Sequence, residues 1–484
     1  MNASSVAGSS EGKRVALPLD PRTYDRALAC VHCGLCLPTC PTYVMTGNEA
    51  DSPRGRIQLI KGLADGTVAY DVTTKRHLDL CLDCRACETA CPSEVVYHEL
   101  IEEARSKLAG AEVRASETPA EEPGSEVAAS GEAASGEAAS GEAASGEATG
   151  LLRWFLLNVL TDPVRLRWAL LPARLLQKTG VYGLLRRCGA MRLLPGGRSG
   201  PFAKLEAMLP AGRVWPGMPP ARTSPTGGTR RMRVAYFGTC VGSVMFAEVN
   251  RKAVELLAAC GAEVMYPRHG RSSGTQACCG AIAHHNADEH AAAAVARQNI
   301  DTLLSLDADR VVCAVAGCGA QLREYAHLLR DDPAYARRAA ELVSKVRDVS
   351  EVLLELGWPA GRALREVKAV ATYHDACHLA HGQRVTSPPR RLLQSVPGLE
   401  LRTLRESEMC CGAAGTYNLV QPEMATRLGE RKLEHVRRTG AEVLISGNAG
   451  CTLHLSALLA AQGLRVRVRH PVEVLHEAMF GPDV

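Results

Sequence analysis

Apolar positions along the first hundred residues recur at helical spacing in short runs. Asp20-Pro21 reads as an N-cap followed by proline at the first helical position, and predicts a helix that delivers Cys30. Ser52-Pro53 repeats the device, with Arg56, Ile57, Leu59, Ile60 and Leu63 predicting a second helix that ends near Gly66. Thr73 or Thr74 is expected to cap a third helix running into Cys81, and after Pro92 the residues Val95, Val96, Leu100, Ile101, Ala104 and Leu108 keep the same period. Beyond residue 228 the pattern changes to strand then helix, twice over. Strand candidates Val234 to Phe237, Glu263 to Tyr266 and Arg310 to Val315 alternate with helical stretches Val244 to Leu257 and Asn286 to Leu304. Strands Ala369 to Tyr373, Leu399 to Leu404 and Val443 to Ser446 follow, with a helix from Pro422 to Arg438. Such alternation predicts α/β lobes with parallel sheets and ligands on the turns after the strands.

Cysteines fall on those turns. Cys240, Cys278 and Cys318 precede Cys377, Cys410 and Cys451 by 137, 132 and 133 positions, and Cys-Cys-Gly occurs at Cys278-Cys279-Gly280 and again at Cys410-Cys411-Gly412. The second half of the chain is therefore an internal duplication. At 484 residues the chain is long enough for about three domains. Its 46% hydrophobic and 22% charged fractions are ordinary for a soluble protein. Met1 to Asp20 is polar and lacks the apolar core of a signal peptide, so the 19 cysteines are expected in a reducing compartment, free for metal. No apolar window reaches the ~18 residues of a spanning helix.

Two stretches depart from this average. Residues 110–150 end in a Ser-Gly-Glu-Ala-Ala repeat whose glycines offset the helix preference of Glu and Ala, which predicts a disordered linker or a short semi-helical spacer. Residues 151–200 carry nine basic residues against the single Asp162, a net of +8 where the whole chain sums to +4. Trp154, Phe155, Trp168 and many leucines interleave with those charges, in short helices expected to break at Asp162-Pro163 and at Pro172. Such helices either lie on an anionic membrane or pack on the protein's own core with an arginine-rich face outward. No nucleic-acid-binding fold accompanies the charge.

The densest chemistry is Cys30-Val31-His32-Cys33-Gly34-Leu35-Cys36-Leu37-Pro38-Thr39-Cys40-Pro41 and its echo from Cys81 to Pro92, through Cys84, Cys87 and Cys91. Both follow C-x2-C-x2-C-x3-C-P, the run that wraps three thiolates around one [4Fe-4S] cluster and sends the fourth to a second. Cys30, Cys33, Cys36 and Cys91 are expected on one cluster, and Cys81, Cys84, Cys87 and Cys40 on the other. Zinc knuckles and disulfides are the alternatives, but zinc motifs usually supply two cysteines and then a gap. In the duplicated half, Cys377, Cys410, Cys411 and Cys451 would converge at one sheet edge as a further metal site, and Cys240, Cys278, Cys279 and Cys318 form a weaker candidate. Buried free cysteines are the alternative there. His374, His378, His381, His284 and His285 stand nearby as ligands, proton carriers or hydrogen-bond donors. The catalytic residues are unknown, and none of the histidines is assigned that role.

The helices separating the two cysteine runs resemble the α-helical ferredoxin domain of respiratory iron-sulfur subunits. The duplicated Cys-Cys-Gly elements resemble the cysteine-rich domains of heterodisulfide reductases, anaerobic glycerol-3-phosphate dehydrogenase and lactate-utilisation proteins. The strings from Tyr373 to Gln383, from Cys410 to Asn418 and from Gly447 to Cys451 are similar to the glycolate oxidase iron-sulfur subunit family. Heterodisulfide reductases carry C-x2-C at the distal element, where this chain has Asn448 before Cys451 and Val315 before Cys318.

The resemblance implies an α+β multidomain protein. Residues 15–109 would form the ferredoxin domain, 110–150 a disordered linker, 151–228 basic amphipathic helices and a Pro/Gly linker, 229–365 the first cysteine-rich lobe and 366–484 the second. It also implies two [4Fe-4S] clusters with a further iron-sulfur cluster in the lobes, and electron transfer from an FAD-containing subunit that oxidises glycolate to glyoxylate. The acceptor would be a membrane surface partner or quinone, and the location cytoplasmic, peripheral on the inner face of the membrane. Lactate or glycerol-3-phosphate as the partner's substrate, or a stand-alone heterodisulfide-type reductase, are the other readings. No G-x-G-x-x-G follows a strand, so no flavin or NAD is expected on this chain. The string His269-Gly270-Arg271-Ser272-Ser273-Gly274 lacks the lysine of a phosphate loop.

Overall fold

The computed structural model describes residues 17–109, 145–188, 201–210, 217–270, 272 and 274–482. The polar start of the chain, most of the Ser-Gly-Glu-Ala-Ala stretch, Arg192, Arg198, residues 211–216 and two positions of the string after His269 lie outside the described residues. The chain divides into two compact units, one holding described residues 17–81 and 90–109, the other residues 82–89 and those from 145 onward.

Helices α1 (Pro21–Leu28), α2 (Pro41–Thr46), α3 (Pro53–Ala64) and α4 (Val72–Asp79) belong to the first unit; α5 (Ala86–Thr89) to the second; and α6 (Tyr97–Leu108) again to the first. The caps work as the sequence suggests at two starts. Asp20 accepts the Arg22 N–H at 2.8 Å, and Ser52 Oγ the Gly55 N–H at 3.0 Å. At α4 the cap is Asp71, which accepts the Thr74 N–H at 2.7 Å, so neither Thr73 nor Thr74 opens that helix. Ile57, Ile60 and Leu63 of α3 and Leu100, Ile101 and Ala104 of α6 are buried, so the core between the runs is helical.

In the second unit, α7 (Ser145–Phe155) passes through a π-helical turn, Leu156–Leu160, into α8 (Pro163–Thr179), followed by α9 (Val181–Arg187) and α10 (Pro201–Ala207). Asp162 caps α8 by accepting the Val164 N–H at 2.9 Å, so the expected break at Asp162-Pro163 is present. The break expected at Pro172 is not. That proline lies inside α8 on an exposed face, where the backbone group its missing N–H leaves unpaired is open to solvent.

The duplicated half contains two sheets. The first orders its strands β1 (Arg222–Thr223), β3 (Ala262–Met265), β2 (Met232–Tyr236), β4 (Arg310–Cys313) and β5 (Val346–Asp348). The second orders β7 (Leu399–Arg402), β6 (Ala369–His374), β8 (Val443–Ser446) and β9 (Arg467–Arg469). Every pairing is parallel except that of β1, an edge strand upstream of residue 229. Without β1 the two orders correspond strand for strand. The connections after the central and third strands leave toward opposite sides of the sheet, which opens a crevice at their carboxyl ends.

The lobes share a core. The C-terminal helix Pro471–Phe480 buries Val472, Leu475 and Ala478 with Ala253, Leu256 and Leu257 of the first lobe's helix Ala247–Ala259. His476 Nε2 lies 2.7 Å from Glu255 Oε2, and His470 Nε2 lies 2.8 Å from the Ala314 carbonyl oxygen.

Candidate metal centres

The backbone of the two cysteine runs follows one plan. His32 and Gly34 have φ of 55° and 81°, and Asp83 and Arg85, at the same places in the second run, have φ of 50° and 62°. Alternating left-handed residues curl a loop so that successive N–H groups converge, the kind of concavity that receives an anionic group. Three non-glycine residues bear the steric cost of that conformation, which marks the loops as held in shape. In the first unit Cys40 Sγ lies 3.2 Å from Thr42 Oγ1, and Tyr97 donates to Cys81 Sγ at 3.7 Å. Burial pushes the Cys36 thiol up, and Cys30 and Cys40 beside it add to the effect. Arg56 is 1% exposed, bonded to the His77 carbonyl at 2.6 Å and to Thr42 Oγ1 at 3.2 Å. Burial alone would weaken its charge, but Cys81, Tyr97, Cys40 and Asp51 around it hold its pKa above the ordinary value. A fixed cation beside Cys40 and Cys81, together with thiol-only donors, suits an anionic iron-sulfur cluster.

Cys84 and Cys87 lie in the segment 82–89, which belongs to the second unit. Polar contacts hold it there. The Asp83 carbonyl oxygen lies 3.0 Å from His378 Nε2, Arg85 pairs with Glu324, and Thr89 Oγ1 lies 3.0 Å from His381 Nδ1. His285 Nδ1 is 3.4 Å from Asp83 Oδ2 and its ring is 5.8 Å from that of His378. Burial lowers the His285 pKa to about 3, so this imidazole is neutral near pH 7. The histidines flanking the cysteines thus anchor the segment that carries Cys84 and Cys87.

In each lobe the four cysteines gather at the carboxyl ends of the central strands. Cys240 Sγ and Cys278 Sγ are 3.6 Å apart, and Cys279 is in contact with both Cys278 and Cys318. The second set repeats the chain of contacts from Cys377 to Cys410, Cys411 and Cys451. The glycine after each cysteine pair is required by its backbone. Gly280 and Gly412 have φ of 90° and 91°, and a Cβ on Gly412 would stand 2.5 Å from the Ala425 carbonyl oxygen. A cavity of about 180 Å³ lies between the lobes, lined by all of these cysteines except Cys411 and by His285, His378 and Asn448.

Beyond the thiols the second set has partners that the sequence reading missed or left unassigned. His374 Nδ1 lies 3.0 Å from the Ser407 carbonyl oxygen, while its Nε2 is buried without a hydrogen bond among the described residues. A ligand atom of His374 lies within 4.8 Å of Cys411 Sγ and Cys451 Sγ. Burial lowers the His374 pKa to about 3, leaving a neutral imidazole suited to a metal. Lys432 is 2% exposed and donates to the Glu406 and Ser407 carbonyl oxygens. Asn448 donates to Cys451 Sγ at 3.2 Å and accepts the Gly317 N–H of the first lobe at 3.1 Å. The hydrogen bond to Cys410 and burial push the Cys377 thiol up, so binding a metal here would displace protons. Of the three remaining cysteines, Cys188 is exposed and Cys260 is buried, while Cys313 is buried in the same core cluster as Cys240, Cys278 and Cys279.

Each of these regions is similar to known proteins. Residues 234–323 and 371–456 match the family described as a cysteine-rich domain, and residues 26–95 match a 4Fe-4S dicluster domain. Residues 148–209, the basic helical stretch, match a family described as the glycolate oxidase iron-sulfur subunit, linker region. The probable glycolate oxidase iron-sulfur subunit of Bacillus subtilis is 35% identical over 93% of this chain and 94% of its own. The glycolate oxidase iron-sulfur subunit of Escherichia coli is 30% identical over the same shares. Lactate utilization protein A of Shouchella clausii is 33% identical over 51% of this chain and 99% of its own.

Proposed function

The chain belongs to the glycolate oxidase iron-sulfur subunit family, and from that premise we propose that it is the electron wire of a complex in which an FAD-containing partner subunit oxidises glycolate to glyoxylate. The observation that carries this reading is the pair of cysteine runs with one spacing and one backbone plan. Iron-sulfur clusters, when bound, pass electrons one at a time, whereas glycolate gives up two together, so a flavin must stand between them. On this reading Cys30, Cys33, Cys36 and Cys91 hold one [4Fe-4S] cluster and Cys81, Cys84, Cys87 and Cys40 the other, with Arg56 supplying fixed positive charge. Cys377, Cys410, Cys411 and Cys451 hold a further cluster, and Cys240, Cys278, Cys279 and Cys318, with weaker support, a fourth.

The acceptor on this reading is a membrane quinone, and α8 is the docking element. Val164, Trp168 and Leu175 are exposed at 53%, 61% and 48% and fall on one face of α8. Leu151, Trp154, Val181 and Leu184 of the adjoining helices are also exposed. Exposed Arg153, Arg165 and Lys178 accompany this stripe, whereas Arg174 is buried, bonded to Gln177, and unavailable to a lipid. No helix among the described residues is long and apolar enough to cross a membrane. A basic, aromatic stripe suits peripheral binding to an anionic surface on the cytoplasmic face. Changing Arg153, Arg165 and Lys178 to Glu should weaken vesicle binding by about 1 kcal/mol or more per residue at low salt; binding indifferent to charge and salt would refute the docking.

The wire itself is tested by omission. Without this chain the flavin subunit should still bind glycolate and reduce its flavin, while quinone reduction collapses. Turnover of glycolate by the isolated chain with no flavin present would overturn the reading.

A further inference from the structure

A second cavity, of about 520 Å³, lies between the start of α8 and the first lobe, within the ~300–1,000 Å³ range of small-molecule sites. Its walls run from Val164, a member of the exposed apolar stripe, past Leu157 and Pro163 to Cys278 of the first cysteine set. The lining is mixed: Ala291, Ala294 and Val295 of the helix Glu289–Leu304 form an aliphatic side, and Asp162, Asp288 and Gln298 add polar groups. Two buried polar atoms there have no hydrogen bond among the described residues: His269 Nδ1 and Gln276 Oε1.

Their chemistry is set by their other bonds. His269 Nε2 lies 3.0 Å from Ser243 Oγ and 3.5 Å from Gln276 Nε2, an amide nitrogen that can only donate. In the tautomer in which Nε2 accepts from the Gln276 amide, the proton of the neutral ring sits on Nδ1. The Gln276 amide also donates to the Gly238 carbonyl, which fixes its orientation and leaves Oε1 as an acceptor. In that tautomer the cavity offers one unused N–H donor and one unused acceptor at its buried end, and its other end lies against Pro163 and Val164 with Asp162 beside them.

We propose that this cavity binds a membrane-borne quinone, its head group between His269 and Gln276 beside Cys278 and its tail leaving past Val164. A quinone carbonyl needs a donor and the hydroxyl it becomes needs an acceptor; the two orphaned atoms supply both. The proposal rests on the wire reading above. The quinone takes up two electrons, delivered singly from the cysteine-bound centres, and two protons from water, giving the hydroquinone. Glycolate oxidation on the partner supplies the electron pair and releases two protons to solvent.

The test uses the complex of this chain with its flavin partner and a short-tailed azido-ubiquinone as photoprobe. Label should map to residues 157–164 or 269–298, and excess decylubiquinone should suppress it. His269→Leu removes the donor, and Ala294→Trp fills the cavity from a lining position whose side chain is exposed. Each should cut labelling and lower the ratio of decylubiquinone to ferricyanide turnover about tenfold. Label elsewhere, or an unchanged ratio in both variants, would overturn the site. Failure of the unaltered complex to reduce ferricyanide with glycolate, with labelling intact, would instead count against the wire reading alone.

Discussion

At corresponding places after the third strand of each lobe, the chain puts Val315 in the first and Asn448 in the second. The two lobes share a strand order, a left-handed glycine after a cysteine pair and a chain of touching thiols. They differ in what surrounds those thiols. The second lobe packs the neutral imidazole of His374, the buried ammonium of Lys432 and the amide of Asn448 around its cysteines. In the first lobe, Asn299 and the Tyr325 hydroxyl bind the Cys278 and Cys279 carbonyls, so these polar groups shape the backbone rather than donate to sulfur. The two copies share the scaffold and differ in the polar residues around the thiols, and the first borders the cavity that reaches Val164.

The largest effect should come from the thiols themselves. Cys411→Ser is expected to remove the second lobe's iron and its EPR signal and to lower the thermal midpoint, because metal binding at structural sites carries ~10 kcal/mol of folding free energy. Cys279→Ser should spare that signal. Equal loss in both variants, or none in either, would dissolve the distinction between the lobes.

Acid should act on the lobes with opposite sign. Burial raises the Asp348 carboxyl of β5 to about 6 from 3.8, so its contribution is full below about 3.8 and is lost as pH rises through 6. Asp348→Asn should therefore stabilise the protein at pH 7 by up to ~3 kcal/mol, the cost of a shift of about two units. The gain should vanish near pH 4. Glu406, held down to about 2 by its hydrogen bond with Arg431, supports the second lobe above its unfolded value of 4.5 and loses that support as pH falls toward 2. Denaturant titrations of Asp348→Asn and Glu406→Gln across pH 3 to 8 check both signs.

His374→Gln keeps a polar side chain but places no imidazole nitrogen near Cys411 and Cys451. Iron affinity of the second lobe should fall about 10- to 100-fold, measured by chelator competition, with the first lobe unaffected. The smallest change is Asn448→Ala, which removes the hydrogen bonds to Cys451 and Gly317 and should cost about 1–2 kcal/mol. Its sharper signature is a shifted midpoint potential for the second-lobe centre, since an N–H donor to sulfur stabilises the reduced, more negative state. Val315→Asn, if it gives the first lobe a donor to Cys318, should move that lobe's potential upward.

Much of this was legible along the chain because it depends on near neighbours. Cysteine spacing, the proline-led helix starts and the alternation of strand and helix are local properties, and the six strand positions expected from the sequence all carry strands whose ends differ by no more than two residues. The strands not foreseen, β1, β5 and β9, are two or three residues long and rich in arginine, so no run of apolar positions announced them. Asp71 displaced the two threonines as a cap because a carboxylate was in reach of the Thr74 N–H. Arg174 counted as surface charge in the sequence, yet the fold buries it among α8 and the segment near Pro210.

By itself the sequence determined which atoms could bind metal and the order of elements that carry them, because ligand type and secondary-structure period are written residue by residue. Only the tertiary structure decided which of those atoms meet. It brought His374 and Asn448 to Cys451, set Cys84 and Cys87 on a segment held by His378 and His381, and led a cavity from Val164 to Cys278. Contacts between residues hundreds of positions apart depend on how two sheets and their helices pack together, and no local pattern encodes that distance.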